Sequence, residues 1–217
     1  GQNTAIESTT MSVHVSNKTA PGFSGSDVDV SAFLLTADDK VRNDGDFIFF
    51  NQTKSADGAV ALQSDMKGFD INLAKLDAAI EKIAFTLVID GGDTLGNLES
   101  LSIEIPGVAS ADIPVSGRSE KAVIVGQLYR RNGQWKFKPI GQGFEGGLLP
   151  LSISFGVDAV EDDDSPAGPV ESKPQSKGID LEKRLSEKAP QLINLAKPLK
   201  IALEKHDLTQ EKAKDAF

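Results

Sequence analysis

The chain is 217 residues long, sets 23 Lys and Arg against 32 Asp and Glu for a net charge of −9, and contains two His and no Cys. Without Cys there is no disulfide, no thiol nucleophile and no thiolate-bound zinc, haem or iron–sulfur cluster, and two His are too few for a multi-histidine metal site. The acidic balance argues against nucleic-acid binding and favours cations or basic partners.

Residues 1–15 show no basic start followed by an apolar block, so no secretory signal is read there. Residues 11–16 alternate apolar and polar, and 28–34 do so in part. Residues 47–50, 83–89, 101–105, 122–128 and 135–140 follow as short runs rich in Val, Ile and Phe, with Gly, Asp, Asn or Pro between them. Short strands at this spacing predict a mainly β fold, an antiparallel two-sheet sandwich. Asn132-Gly133 between two such runs predicts a tight hairpin, because both residues tolerate positive φ. Leu73, Leu76 and Ile80 have helical spacing and predict one or two helical turns over 73–81, and a second short helix is expected over 148–155. No apolar run reaches the about 20 residues of a membrane span.

Composition changes after residue 160. Residues 161–178 combine five acids with three Pro, two Gly and three Ser and read as an acidic linker, too poor in apolar side chains to offset the entropy of ordering. Residues 179–217 read as a helical tail. Leu181, Leu185, Leu192, Leu195, Leu199 and Leu203 form one apolar stripe, interrupted by Pro198. A single stripe makes no core of its own and calls for a partner: the first domain, a second copy or a further domain.

Two Asp-x-Asp pairs carry the strongest chemical signal. Asp27 and Asp29 enter one apolar strand, and Asp44 and Asp46 enter another. Residues i and i+2 of a strand share a face, so each pair points two carboxylates the same way. Their repulsion must be offset by a bound cation, a basic neighbour or open water. Calcium suits such oxygens, although the 12-residue spacing of an EF-hand is absent. A glycosidase pair of carboxylates is a poor fit, since one Trp and one Tyr do not furnish a sugar groove. Gly141-Gln142-Gly143-Phe144-Glu145-Gly146 matches a dinucleotide fingerprint in letters only. Gly147 and Pro150 follow where a helix should run, so a structural turn is expected. No His has a persuasive acid partner and no nucleophile elbow is complete, so no catalytic residue is assigned.

Residues 1–158 resemble the TerD family of bacterial tellurium-resistance and stress-response proteins. The matching stretches are KTAPG (18–22), DVDVSAFLL (27–35), DGDFIFFNQ (44–52), KSADGAV (54–60), GQLYRRNGQWKFKPIGQGFEGGL (126–148) and FGV (155–157). The resemblance implies a β-sandwich binding Ca2+ through acidic loops. It also implies a non-enzymatic, cytoplasmic protein that works with other Ter proteins at or near the membrane protein TerC. On this basis Asp27, Asp29, Asp44 and Asp46 are the expected metal ligands, with Asn51 and Asp65 as weaker candidates. The usual Gly/Asp-rich acidic loop after KSADG is cut down to Ser64-Asp65-Met66-Lys67-Gly68, and only Asp65 matches it. The expected consequence is weaker binding, fewer ions or none. The tail resembles the stretch that follows the TerD-like domain in TerF-type proteins, without the von Willebrand factor A-like domain found there. The alternative expectation is a metal-independent adaptor or scaffold whose helical tail mediates association, with a partner or with a second copy.

Overall fold

Eleven strands, one α-helix and two single 3-10 turns account for the regular structure of residues 3–157, which are the residues this computed structural model describes. The linker and tail expected at 161–178 and 179–217, and residues 158–160, lie outside them. In chain order the strands are β1 (Thr4–Ala5), β2 (Thr10–Thr19), β3 (Asp27–Leu35), β4 (Phe47–Ile48), β5 (Val60–Leu62) and β6 (Gly68–Asn72). They continue as β7 (Lys82–Asp90), β8 (Leu98–Ile105), β9 (Ala109–Asp112), β10 (Ala122–Arg131) and β11 (Gln134–Phe144), followed by helix α1 (Leu148–Ser154). The first sheet runs β1-β11-β10-β7-β3-β4 and the second β5-β6-β2-β8-β9, with every pairing antiparallel. The expected mainly β, two-sheet architecture is therefore present.

Alternation decides which residues meet between the sheets. Val30, Ala32 and Leu34 of β3 and Ile83, Phe85, Leu87 and Ile89 of β7 join the core cluster from the first sheet. Val13 and Val15 of β2, Phe69 and Ile71 of β6, and Leu101, Ile103 and Ile105 of β8 join it from the second. The Phe69 and Phe85 rings meet at 5.5 Å between centroids and bridge the two sheets. Close approach fixes one glycine here: a Cβ on Gly126 would come within 2.9 Å of the Phe137 ring and 3.0 Å of Ile103 Cδ1. Gly126 lies at the register shift of β10, a bulge that puts Val125 and Gly126 at the core in succession.

Part of the outer face of the first sheet, around Phe33, is covered as well. Phe33 of β3 is fully buried, stacked on Phe47 at 4.4 Å and tilted against Phe155 at 4.9 Å. Leu151 of α1 is buried in the same way. This second layer explains why Ala32-Phe33-Leu34-Leu35 is apolar without alternation, since a strand buried on both faces has no polar side to display. The helix expected over 148–155 is α1, introduced by Gly147 at φ 73. The expected hairpin turn is also present, with Asn132 at φ 55 and Gly133 at φ 76.

Two local expectations are corrected. Residues 73–81 form no helix. Asn72 Oδ1 accepts the Ala74 N–H at 3.1 Å and Asp77 Oδ1 accepts the Ala79 N–H at 2.8 Å, closing separate turns. Such side-chain acceptors compete with the helical ladder, and the helical spacing of Leu73, Leu76 and Ile80 reflects only their shared packing on the core. The run 47–50 is a strand only over Phe47–Ile48. Phe49 and Gln52 exchange backbone hydrogen bonds of 3.0 and 2.9 Å, which turns the chain back.

Candidate metal centre

Asp27 and Asp29 open β3, and antiparallel β7 ends beside them. The register sets Asp27 opposite Asp90 and Asp29 opposite Val88. Directly opposed residues lie about 4.5–5.5 Å apart at Cα, and i, i+2 neighbours share the face. Three carboxylates, from Asp27, Asp29 and Asp90, therefore gather on the outer face at one end of the first sheet. Among the described residues none of the three makes a side-chain hydrogen bond or an ion pair. Burial pushes the Asp29 carboxyl above its ordinary value, and the charges of Asp27 and Asp90 push it further.

The loops carrying these residues are tied together by a fourth aspartate. Asp93 Oδ2 accepts from the Ser24 backbone N–H at 2.9 Å, the Ser24 hydroxyl at 2.5 Å and the Ser26 hydroxyl at 2.7 Å. Its own N–H donates to Ser26 Oγ at 3.1 Å. The Ser24 hydroxyl first, then Ser26 and the two backbone N–H groups, hold its carboxyl below the usual range. Gly91 sits at φ 131, and a Cβ there would lie 2.5 Å from Ser26 Oγ, so only glycine fits. Lys121 Nζ donates to the Gly91 carbonyl at 2.6 Å and so takes its partner from the main chain rather than from the three carboxylates. The loop before β3 and the loop after β7 thus form one pre-assembled rim.

The other Asp-x-Asp pair has a different partner. Asp44–Asp46 is a single 3-10 turn capped by Asn43, whose Oδ1 accepts the Gly45 N–H at 2.8 Å. Asp46 is 3% exposed, and Arg42 grips it bidentately, Nε to Oδ2 and Nη2 to Oδ1, both at 2.8 Å. The Arg42 backbone N–H adds a third bond at 3.0 Å. The guanidinium reaches on to Asp77 Oδ2 at 2.7 Å, and Asp57 Oδ2 accepts the Asp77 N–H at 3.1 Å. A basic neighbour offsets Asp46, which has no oxygen left without a partner. Gln52 Nε2 donates to the Asp44 carbonyl at 2.6 Å, and Asn51 Nδ2 is buried without a partner. Asp65 lies on the second sheet, in the β5–β6 turn, where its Oδ1 accepts the Lys67 N–H at 3.0 Å.

The six residues expected as ligands are therefore not brought to one place. Asp27 and Asp29 meet; Asp44, Asp46 and Asn51 belong to the edge near β4; Asp65 is in the other sheet. Among the described residues no three or more Asp, Glu, His or Cys side chains are placed together to hold a metal ion. By donor chemistry the end of β3 and β7 suits a hard divalent cation, since Asp27, Asp29 and Asp90 offer carboxylate oxygens on one face with no ion-paired base. The Asp46 set does not fit. Sequence reasoning missed Asp90, Asp93 and Arg42. Asp90-Gly91-Gly92-Asp93 closes a strand with two acids, and Arg42 precedes Asp46 by four residues; both signals were readable, but their partners depend on strand pairing.

The comparisons agree with this architecture. The TerD domain profile matches residues 1–155. The chain is 37% identical over 156 residues to tellurium resistance protein TerA from Alcaligenes sp, covering 69% of this chain and 46% of that protein, so it spans about half of that relative. It is 38% identical to tellurium resistance protein TerD from Alcaligenes sp, covering 61% of this chain and 79% of that one. It is 32% identical to general stress protein 16U from Bacillus subtilis, covering 60% and 78%. A crystal structure of a TerD homologue from Streptomyces coelicolor A3(2) superposes with a TM-score of 0.50 at 15% identity, over 66% of this chain and 95% of that one, which shows the shared fold. Sequence, two-sheet topology and family profile converge on one assignment: the chain belongs to the TerD domain family.

Proposed function

We propose that this TerD-family domain is a calcium-binding module and not an enzyme, with the ion held at the end of β3 and β7 by Asp27, Asp29 and Asp90. The observation that carries it is the gathering of three carboxylates with no basic partner on a rim already fixed by Asp93. In water alone their repulsion is a standing cost; a divalent cation converts it into binding energy. Ion binding would stabilise the folded domain by mass action and mark the rim for a protein partner. Tellurium resistance and stress response, named for the relatives, would then be served indirectly through other Ter proteins, in the cytoplasm and at the membrane through TerC. Calorimetric titration of the chelator-treated chain tests this. Calcium should bind with a measurable heat at micromolar to millimolar concentration and magnesium weakly, because magnesium demands a rigid octahedron and keeps its waters. Absence of heat up to millimolar calcium contradicts it.

A metal-independent adaptor is the second reading. It is favoured by the pairing of Asp46 with Arg42 and of Asp93 with the two serines, which order the loops without any ion. On this reading association runs through the tail, and deleting residues 161–217 abolishes it in light scattering.

A further inference from the structure

The chain is acidic overall, yet residues 122–144 contain no Asp or Glu and four bases, Arg130, Arg131, Lys136 and Lys138. These residues are the β10–β11 hairpin, so an uninterrupted cationic element stands within an acidic domain.

The register sorts the four bases by face. Arg130 lies opposite Trp135, while Tyr129 lies opposite Lys136, Gln127 opposite Lys138 and Arg131 opposite Gln134. Arg130 is committed to structure. It pairs with Glu81 at 2.7 Å, donates to the Ala78 carbonyl at 2.7 Å and sits over the Trp135 ring at 5.9 Å. Tyr129, Arg131, Lys136 and Lys138 share the outer face. Lys82 of β7 stands opposite Tyr129 on the same face and is neutralised by Asp39 at 2.6 Å. Arg131, Lys136 and Lys138 form no ion pair and donate no side-chain hydrogen bond among the described residues. Most other bases of the domain are engaged: Lys18 by Glu99, Arg42 by Asp46 and Asp77, Arg118 by Glu120, Lys121 by a main-chain carbonyl. The Lys138 ammonium lies 5.2 Å from the Tyr129 ring centre, which holds the side chain extended across the ring.

We propose that this hairpin face is a docking surface for an acidic polypeptide segment of a partner protein. Lys136 and Lys138 are i, i+2 neighbours, about 7 Å apart along the strand, which is the spacing of alternate side chains in an extended peptide. Acids at i and i+2 of such a segment meet the two lysines in register, and Arg131 takes a further carboxylate toward the hairpin tip. Tyr129 offers an apolar floor between them. The surface is open and has no nest of backbone N–H groups converging on one point, so it is not built to enclose a small phosphate. A long polyanion or an anionic bilayer would also meet the acidic remainder of the domain and be repelled. A short acidic segment touches only the hairpin.

The experiment is fluorescence anisotropy with the full chain and a fluorescein-labelled synthetic peptide of alternating Glu and Thr. Binding is expected at low salt, weakening at least tenfold as the screening length shortens between 50 and 200 mM salt. K136E/K138E should bind at least tenfold more weakly than wild type. K67E/K75E makes the same change of net charge on exposed residues elsewhere and should bind like wild type. The proposal is overturned if the peptide does not bind at millimolar concentration, or if both double variants lose binding equally, which would make the effect one of net charge. It is also overturned if phosphatidylserine vesicles or a single-stranded oligonucleotide bind more tightly than the peptide.

Discussion

Arg42→Met should destabilise the domain by about 3 kcal/mol, the low end of what removing one partner of a buried ion pair costs. The loss comes chiefly from the partner left behind. Asp46 is 3% exposed and would keep a carboxylate with only one backbone donor, that of residue 42. The substitution also releases the Asp77 carboxylate and leaves the bond from the Asp77 N–H to Asp57 as the remaining one of these two ties on the 73–81 segment. Arg42→Lys should recover only part, because an ammonium cannot reproduce the bidentate fork. Urea unfolding at neutral pH measures both. Acid should erode the same network. Burial pushes the Asp57 carboxyl up, but the Ser55 hydroxyl and the N–H groups of Ala59 and Asp77 outweigh it and hold it below its ordinary value. The Ala79 N–H and Arg42 hold Asp77 low as well. Groups with lowered folded-state values contribute fully above about pH 4 and lose that contribution as pH falls further.

Replacing Asp27 and Asp29 together by Asn should have two opposite effects. In chelator-treated protein the double variant should melt above wild type, by about 2 °C for a domain of this size. It removes a carboxyl whose value is raised by burial and by its acidic neighbours. A raised acid costs stability as pH climbs through its folded-state value, and Asn carries no such cost. With calcium the order should invert. Wild type at a hundredfold excess over its dissociation constant gains about 2.7 kcal/mol by linkage, or about 5–10 °C, while the double variant gains nothing. Differential scanning calorimetry with and without calcium reads both halves. A calcium response in the variant equal to that of wild type would place the ion elsewhere.

The sandwich was legible because the long strands β3, β7 and β10 carry dense apolar runs, and β11 follows a tight Asn-Gly turn. The strands that escaped notice are the short or polar ones: β1, β5, β6 and β9, held by neighbours rather than by their own pattern. The 73–81 segment misled because packing spaced its leucines as a helix would, while Asn72 and Asp77 closed turns instead. At the candidate site the residue types were readable and the grouping was not. Both Asp-x-Asp pairs look alike in sequence. What separates them is Arg42 on one side and Asp90 on the other, and only the pairing of β3 with β7 brings Asp90 to its place.

Amide chemical shifts of the isotope-labelled, chelator-treated chain during calcium titration test the site most directly. The expected result is that the largest shifts fall at residues 27–29 and 90–93, at both strands of the β3–β7 end together. Largest shifts at residues 44–52 or at 64–68, or none up to millimolar calcium, would contradict a cation site built on Asp27, Asp29 and Asp90.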